Sequence, residues 1–386
     1  MTEKLYYLDS HLASFRAEVI SCTQTEKGFE VVLDRTAFYP LGGGQAADTG
    51  VLGKARVLDT REQGKDIIHL CDAPLIPGTQ VEGTIDYQDR FVRMQQHSGE
   101  HIVSGIIHQR WGYHNTGFHM NLQSVVIDFD GMIPAEALPE IEAEANRAVM
   151  RNIPVRVFTP GPEELAALSY RTKRALPWPV RIVEIPGYDT CACCGTHVAA
   201  TGEIGLIKLF SAIPFRGGTR MEMACGVPAL ALRNRVFEQN KQVSRLLSAQ
   251  ITQTGQAVEK LLCTLESWKT KALNLEKQSL LARVDAFGGA GNCFTFGGDL
   301  SPDGLRELTD GAARVSGGIT AVFGEMAEGF DYCLALPGGD LRSLNKEMNA
   351  ALSGRGGGKP PFQMGRLRAS KEEIRQFFLG KGFRQV

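Results

Sequence analysis

The chain has 386 residues, and its 42 basic and 43 acidic side chains leave a formal net charge of −1. This length allows two or three domains. A hydrophobic fraction of 43% with 22% charged residues is ordinary for a globular protein, which excludes a largely disordered chain. No run of about 18 apolar residues occurs, so we expect no membrane-spanning helix. The N-terminus lacks the basic-then-apolar order of a signal peptide, and the nine mostly isolated cysteines indicate a reducing compartment, so a cytoplasmic location is expected.

The first part of the chain, residues 1–87, is predicted to be a β-rich, barrel-like domain. Its apolar residues alternate with polar ones in segments such as Gly28–Leu33, and glycine or proline turns separate these segments. The period then changes, because Arg90–Arg110 has apolar residues at helical spacing and Val125–Phe129 reads as a strand. Residues 88–229 are therefore predicted to form an α+β domain.

A helical arm or short coiled coil is predicted for residues 230–283. From Val236 to Leu281 there is no proline, and apolar residues fall at heptad intervals with a break near Thr254–Gly255. An ordinary helical hairpin packed on the surface is the alternative. Residues 284–386 alternate between strand-like and helix-like segments and predict a small C-terminal α/β domain with a basic end. The predicted fold class of the whole chain is α+β.

Two short motifs predict a metal site. His97 and His101 are spaced i, i+4, which places both imidazoles on one face of the predicted helix. Cys193 and His197 have the same spacing in a glycine-containing turn. Together they offer nitrogen and sulfur donors, a mixture that Zn²⁺ prefers. We therefore predict that these four residues bind zinc.

Three points at this site stay open. Cys191 and Cys194 flank Cys193, and either thiol could replace it as a ligand. If all four residues bind, the ion is four-coordinate as in structural sites, whereas a catalytic role needs an open position. Glu100, beside His101, is predicted to be a solvated helix residue; orientation of its neighbouring ligand is the alternative.

A zinc peptidase is a rival interpretation of the same helix. The segment from His97 to His101 matches H-x-x-E-H, in which the glutamate would be the general base. That alternative expects an acidic third ligand downstream and leaves Cys193 and His197 unexplained.

A glycine-rich segment lies at Thr36–Gly50, where Gly42, Gly43 and Gly44 follow one another. Glycine permits positive φ angles and close approach of the backbone to a ligand. No Lys-Ser or Lys-Thr pair follows, so the segment is not a P-loop, and its spacing is not the dinucleotide-binding one. A tight hairpin turn is the plainer interpretation.

These motifs, in this order, resemble a known family. The Phe38–Gly50 segment, the His97 and His101 pair and the Cys193–Val198 segment look like the editing domain of alanyl-tRNA synthetase, and still more like its free-standing relatives, the AlaX alanyl-tRNA editing proteins. The basic end with Gly354–Pro360 resembles the DHHA1-type domain that ends the synthetase. The chain has no room for an aminoacylation core, so the resemblance is to the long free-standing form. Cys194 departs from the family, which usually has glycine there.

The resemblance implies a trans-editing hydrolase, ATP-independent, that removes serine and possibly also glycine from mischarged tRNA(Ala) and serves translation fidelity. It implies Thr36 as the reader of the serine hydroxyl and Gln45 as a partner of the substrate or the attacking water. These two residues form the predicted catalytic set, and Gly43, Gly44 and Asp48 complete the predicted substrate-binding set. An apolar pocket rejects an added hydroxyl weakly, whereas a site that hydrogen-bonds the hydroxyl can reject alanine strongly.

Contact with tRNA is expected through phosphates, which basic side chains bind. The candidate RNA-binding residues are Arg216, Arg220, Arg355, Lys359, Arg366 and Arg368. The resemblance also implies that the C-terminal domain holds the tRNA elbow and that a homodimer forms through the helical arm and that domain.

Two other functions are weighed against deacylation. One is a non-catalytic tRNA-binding protein with structural zinc, against which the presence of all motif residues argues. The other is the zinc peptidase described above.

Overall fold

A computed structural model describes residues 1–172 and 178–386 of the chain. The chain divides into two compact units, Met1–Gln242 and Val243–Val386. Helices and strands occur in both units, which confirms the α+β class. The finer division into four parts stays a prediction. None of the helices in the described ranges is long and apolar enough to cross a membrane.

A closed β-barrel begins the first unit. The strands of its first 85 residues are β1 (Glu3–Lys4), β2 (Ser14–Thr25), β3 (Gly28–Leu33), β4 (Arg35–Thr36), β5 (Gly50–Leu52), β6 (Ala55–Gln63), β7 (Asp66–Cys71) and β8 (Gln80–Ile85). The barrel closes in the order β2-β3-β7-β6-β5-β8, while β1 and β4 form a separate parallel pair. In β2, Phe15, Ala17 and Val19 are buried and the intervening residues are not, which is the alternation of a strand with one face on a core.

The rest of the first unit combines helices with two antiparallel sheets. Its elements are α1 (Tyr87–Trp111), β9 (Asn115–Met120), β10 (Val125–Phe129), α2 (Leu138–Met150), β11 (Arg156–Phe158), α3 (Pro162–Ala167), β12 (Ile182–Ile185), β13 (Asp189–Ala192), β14 (Ile207–Phe215), β15 (Gly218–Cys225) and α4 (Val227–Leu246). The four-stranded sheet has the order β14-β15-β10-β9, and the three-stranded sheet has the order β11-β12-β13.

Helix α1 is the central element of this part. Every residue from Arg93 to Ile107 is buried, so the helix is enclosed on all sides rather than packed by one apolar face. It ends at Gly112, whose φ of 72° allows its N–H to bond the carbonyl of His108 at 2.8 Å. Gly99 lies where α1 approaches β15, because a Cβ there would collide with the sulfur of Cys225.

The six strands of the second unit form one mixed sheet. Its elements are α5 (Thr254–Val284), β16 (Gly291–Gly298), α6 (Pro302–Ser316), β17 (Gly317–Met326), β18 (Gly329–Ala335), α7 (Arg342–Ala351), β19 (Arg355–Gly357), β20 (Phe362–Leu367), α8 (Lys371–Gly380) and β21 (Arg384–Gln385). The sheet order is β19-β20-β18-β17-β16-β21. Helix α8 begins with a capping box, in which Ser370 and Glu373 bond each other's backbone N–H groups.

The predicted break in the helical arm falls slightly earlier than expected. Helix α4 ends at Leu246 and α5 begins at Thr254, so the connection occupies residues 247–253 rather than Thr254–Gly255. The apolar heptad side chains of α5 are largely exposed, namely Val258, Leu261, Leu265, Trp268 and Leu275. A coiled coil therefore stays a prediction.

Candidate functional site

The glycine-rich segment forms a tight β-turn. Gly42 and Gln45 exchange backbone hydrogen bonds of 3.1 and 2.9 Å. Between them, Gly43 and Gly44 have φ angles of 59° and 83°. Positive φ at both central positions is the geometry of a type I′ turn, which glycine adopts without strain. A Cβ at Gly44 would collide with the ring of Phe118, so glycine also lets the turn pack against that ring.

Asp48 anchors this segment to the start of α1. Its carboxylate accepts the N–H of Tyr39 at 2.7 Å and pairs with Arg90, whose Nε lies 2.9 Å from Oδ2. Arg90 also donates to the carbonyl of Ala37 at 2.7 Å. Both charged side chains are buried, and these additional hydrogen bonds offset part of their desolvation cost.

The four predicted metal ligands lie together in the structure. His97 and His101 are one turn apart in α1, and Cys193 and His197 lie in the turn that follows β13. Their potential ligand atoms are all within 4.8 Å of one another. The sulfur of Cys193 is 3.5 Å from Nε2 of His97 and 3.3 Å from Nε2 of His197. Three imidazoles and one thiol at these separations can hold a metal ion.

The Nδ1 atom of each imidazole contacts an oxygen atom. These contacts are His97 with Gln45 Oε1 at 3.3 Å, His101 with Asp189 Oδ2 at 2.8 Å, and His197 with Ser98 Oγ at 3.2 Å. A hydrogen bond at Nδ1 fixes the orientation of the ring and leaves the Nε2 lone pair available to a metal. The donor set and its supporting contacts therefore fit a bound metal ion.

Gln45 has a defined orientation beside His97. Its Nε2 donates to the hydroxyl of Thr196 at 2.8 Å, and its Oε1 accepts the N–H of Thr196 at 3.1 Å. The amide oxygen therefore faces the His97 ring. Gly195 permits this arrangement, because a Cβ there would collide with that ring.

The cluster favours a thiolate at Cys193. Burial alone would raise the pKa of its thiol, but the imidazoles of His97 and His197 bring that pKa well below its ordinary value. Burial lowers the pKa of His197 to about 3, so this ring is neutral. A thiolate at Cys193 and a neutral ring at His197 are the protonation states in which these two groups bind metals.

Asp189 and Arg171 extend the cluster behind His101. Arg171 donates to both carboxylate oxygens of Asp189, at 2.6 and 2.8 Å. Burial would raise the pKa of Asp189, but its hydrogen bonds to His101 and Arg171 lower it. Burial would likewise lower the pKa of His101, whereas Asp189 and Cys193 raise it well above its usual value. The negative charges around His101 favour a cation at this position.

The flanking thiols have different environments. Cys194 is exposed, whereas Cys191 lies close to His101 and Asp189. Burial raises the pKa of Cys191 to about 11. Cys193 is thus the thiol whose surroundings favour the thiolate, which supports its selection among the three.

A cavity of about 460 Å³ opens onto the cluster. It is lined by Gly43, Gly44, His97, Glu100, His101, His114, Asn115, Phe118, Arg171, Thr172, Cys191, Ala192, Cys193 and Cys194. The β-turn and three of the predicted metal ligands therefore line the same cavity. The predicted catalytic, substrate-binding and metal-binding residues that do not line it are Thr36, Gln45, Asp48 and His197.

Thr36 lies in the barrel, fully buried. Its hydroxyl is 2.8 Å from Nε2 of His69 and accepts the N–H of Phe38 at 3.1 Å. His69 Nδ1 contacts the carbonyl of Val31 at 3.1 Å, so that nitrogen carries the proton and Nε2 accepts the hydrogen of Thr36. The threonine oxygen keeps one lone pair for a further donor.

Glu100 differs from expectation, because it is 4% exposed rather than solvated. Its Oε1 accepts hydrogen bonds from Ser104 at 2.5 Å and from Asn115 at 2.6 Å. The expectation was wrong because α1 is enclosed on all sides, so no face of this helix is left for solvent at that position.

The predicted RNA-binding residues of the first unit lie on the β14–β15 hairpin. Arg216 occupies its turn with a φ of 48°. Arg220 pairs with Asp128 at 2.7 and 2.8 Å and stacks on the ring of Phe215.

Three predicted RNA-binding residues of the second unit line another cavity, of about 560 Å³: Arg355, Arg366 and Arg368. Arg366 is paired with Asp331 at 2.7 Å. Lys359 is not among the lining residues. The structure thus brings three of these four side chains to one concave, basic surface.

Several residues of the site were missed by sequence reasoning. They are Ser98, Asn115, Arg171 and Asp189 around the cluster, and His69 beside Thr36 in the barrel. His101 and Asp189 are 88 positions apart, and His197 and Ser98 are 99 apart, so no local spacing reveals these pairs.

Comparison with known sequences supports the resemblance. Residues 180–246 match the family described as "Threonyl and Alanyl tRNA synthetase second additional domain", and residues 7–89 match "tRNA synthetases class II (A)". "Alanyl-tRNA editing protein AlaX-L" of Pyrococcus horikoshii is 28% identical, with 97% of this chain and 96% of that protein covered. "Alanyl-tRNA editing protein Aarsd1-A" of Xenopus laevis is 29% identical, with 91% and 90% covered.

Longer proteins and one solved structure also match. "Alanine--tRNA ligase" of Thermofilum pendens is 34% identical, but the match covers 73% of this chain and 32% of that protein. The crystal structure of the C-Ala domain of Aquifex aeolicus alanyl-tRNA synthetase matches 23% of this chain and 90% of that domain, at 17% identity and a TM-score of 0.20. On the motifs and the near-complete matches, the chain resembles the free-standing alanyl-tRNA editing proteins along most of its length.

Proposed function

We propose that the chain, an aminoacyl-tRNA deacylase similar to the alanyl-tRNA editing proteins, removes serine from mischarged tRNA(Ala), with glycine as a second substrate. Water adds to the ester carbonyl, and the terminal ribose oxygen leaves with a proton, which yields the free amino acid and uncharged tRNA. The observation that carries the proposal is the cavity of about 460 Å³ in which the glycine turn and the His97, His101, Cys193 cluster meet.

The proposed cofactor is Zn²⁺, held by His97, His101, Cys193 and His197. The nitrogen and sulfur donors, with each Nδ1 occupied by an oxygen partner, are the support for this assignment. Bound there, zinc would supply Lewis-acid polarisation or water activation, or hold the terminal ribose in place.

The chain's own residues are proposed to bind and orient the substrate. Gly43 and Gly44 carry no side chains, so the aminoacyl ester can approach their backbone closely. Gln45 keeps the His97 ring in its orientation, and it is proposed as a partner of the substrate or the attacking water because it directly follows Gly43 and Gly44 in the turn.

Thr36 is proposed as the residue that distinguishes serine from alanine. Its hydrogen is donated to His69, so its oxygen can only accept, which suits a serine hydroxyl and not the methyl group of alanine. Asp48 is proposed to act on the substrate indirectly, by anchoring the glycine turn through Arg90.

Binding of tRNA is proposed to involve phosphates at Arg216 and Arg220 in the first unit and at the basic residues of the second. Support comes from the shared cavity of Arg355, Arg366 and Arg368. The exposed apolar side chains of α5 support a homodimer through the helical arm.

The proposal is tested by hydrolysis of Ser-tRNA(Ala) and Ala-tRNA(Ala) by the full-length protein. We expect serine release with alanine spared, and loss of release in His97→Ala. Cys194→Ala is the matched control for metal binding, since that thiol is exposed and outside the proposed ligand set; it should retain the metal. Tight tRNA binding without release of either amino acid would instead indicate a binding protein with structural zinc.

A further inference from the structure

A buried acceptor in the active-site cavity has no hydrogen-bond partner. Asn115 is 7% exposed, and its Oδ1 is buried without a partner among the residues that the structure describes. An unsatisfied buried polar atom is costly and rare, so it marks a place where a ligand or water completes the structure. Asn115 itself lines the cavity, so a ligand held there lies next to this amide group.

The amide orientation of Asn115 is set by its neighbour. Its Nδ2 donates to Oε1 of Glu100 at 2.6 Å. A flipped amide would put its oxygen against the carboxylate, which repels it. The unpartnered atom is therefore the carbonyl oxygen, an acceptor.

Glu100 supplies a second acceptor at the same wall. Both described donors to its carboxylate, Ser104 and Asn115, bond the same oxygen, Oε1. No residue in the described ranges donates to its other oxygen, although Glu100 also lines the cavity. The unused carboxylate oxygen of Glu100 and the unused amide oxygen of Asn115 can together bind a cation that has several N–H donors.

The one arginine that lines this cavity among the described residues is already paired. Arg171 directs two of its donors to the carboxylate of Asp189. It therefore leaves the acceptors of Glu100 and Asn115 to an incoming group.

We propose that Glu100 and Asn115 bind the α-ammonium group of the aminoacyl ester. The inference rests on the proposed deacylase function, which brings an amino acid with a free, positively charged amino group into this cavity. The ammonium has three N–H donors, which are enough for the two unused acceptors. Its positive charge complements the carboxylate of Glu100. Glu100 and Asn115 thus recognise the amino group that all aminoacyl esters share, whereas other residues distinguish serine from alanine.

A direct consequence is that a blocked amino group is rejected. N-acetylation removes the charge and two of the three donors, so an N-acetylated ester leaves the acceptors of Glu100 and Asn115 unsatisfied. Loss of a charge-assisted hydrogen bond corresponds to about 10- to 100-fold.

The first experiment compares hydrolysis of Ser-tRNA(Ala) and N-acetyl-Ser-tRNA(Ala). We expect the native protein to prefer the free amine by about 10- to 100-fold, and Asn115→Leu and Glu100→Gln to reduce this ratio with their metal content retained. Ser104→Ala is the matched control, since it removes a donor to Glu100 but no acceptor from the cavity, and it should keep the ratio. Equal hydrolysis of both esters by the native protein overturns the proposal and assigns the site to a bound water.

A second experiment does not depend on catalysis. Binding of L-serinamide and N-acetyl-L-serinamide is followed by ligand-observed NMR on the full chain. Binding of the free amine alone, lost in Asn115→Leu, supports the ammonium site even if no ester is hydrolysed, in which case only the deacylase proposal fails. Equal binding of both amides, or binding unchanged in Asn115→Leu, overturns the site.

Discussion

The first unit buries histidines in two regions, the barrel and the His/Cys cluster, and the two regions use them differently. His69 in the barrel is fully buried, and His97 in the cluster is 3% exposed. Both nitrogens of His69 are occupied, by the carbonyl of Val31 and the hydroxyl of Thr36. In the cluster each Nδ1 has an oxygen partner, and the Nε2 atoms of His97 and His197 face a sulfur.

The comparison shows that burial alone does not make a histidine a ligand. Burial lowers the pKa of His69 to about 4, and the ring is simply a neutral part of a hydrogen-bonded core. His101 is equally enclosed, but Asp189 and Cys193 raise its pKa well above its ordinary value. Negative charge beside a buried ring, together with a thiol at hydrogen-bonding distance from the neighbouring imidazoles, distinguishes this cluster from a structural histidine.

The largest expected difference between the two regions is in activity, because we expect only the His/Cys cluster to bind the metal that hydrolysis requires. His101→Ala, or treatment with a strong chelator, should lower Ser-tRNA(Ala) hydrolysis about 1,000-fold, because a metal contributes several kcal/mol to such a reaction. Added Zn²⁺ should restore the chelated protein but not the variant. His69→Gln should retain bound metal; its loss on that substitution would contradict the separation of the two regions.

The barrel histidine should instead control stability in acid. The folded-state pKa of His69, about 4, lies below the unfolded value of about 6.5, so the unfolded chain takes up a proton first as pH falls. Stability is therefore lost between about pH 6.5 and pH 4, by about 3 kcal/mol at most.

Urea unfolding at pH 7 and pH 5 measures this effect. In His69→Gln no imidazole titrates at this position, so the loss of stability between the two pH values should be smaller than in the native chain. An identical loss in both proteins would mean that the cluster histidines, not His69, govern the acid response.

A substitution of Asp189 tests how the charge beside His101 contributes to metal affinity. Asp189→Asn removes the negative charge behind His101 but keeps a hydrogen-bond acceptor. We expect metal affinity to fall about 10- to 100-fold in chelator competition. Asp128→Asn, at the Arg220 ion pair between the paired strands β10 and β15, is the control and should leave metal affinity unchanged. Equal metal affinities in the native chain, Asp189→Asn and Asp128→Asn would show that Asp189 does not contribute to metal binding.

The smallest expected effect concerns the hydrogen bond between Thr36 and His69 in the barrel. Thr36→Val should reduce the preference for Ser-tRNA(Ala) over Ala-tRNA(Ala) about 5- to 10-fold, the value of one neutral hydrogen bond, without changing tRNA binding. Thr36→Ser keeps the hydroxyl and should retain the preference. If serine release by Thr36→Val matches the native protein, Thr36 serves only the barrel through His69.

Local sequence patterns were sufficient for much of the fold. The strands Gly28–Leu33 and Val125–Phe129 have the predicted bounds, and α1 extends the predicted helix Arg90–Arg110 by three residues at its start and one at its end. These elements follow from alternation, helical periodicity and glycine at a helix end, all of which act over a few residues. Burial of Glu100 could not be predicted in this way, because periodicity assumes one solvent-facing side and α1 has none.

The sequence by itself determined which residues could form the metal cluster, since His97 with His101 and Cys193 with His197 are each held together by local spacing. Only the tertiary structure decided that the two pairs meet, that Asp189 and Ser98 support their rings, and that Asn115 and Glu100 face the same cavity. The physical reason is that these contacts join segments about 15 to 100 positions apart. Chain packing, not local conformation, brings such segments together.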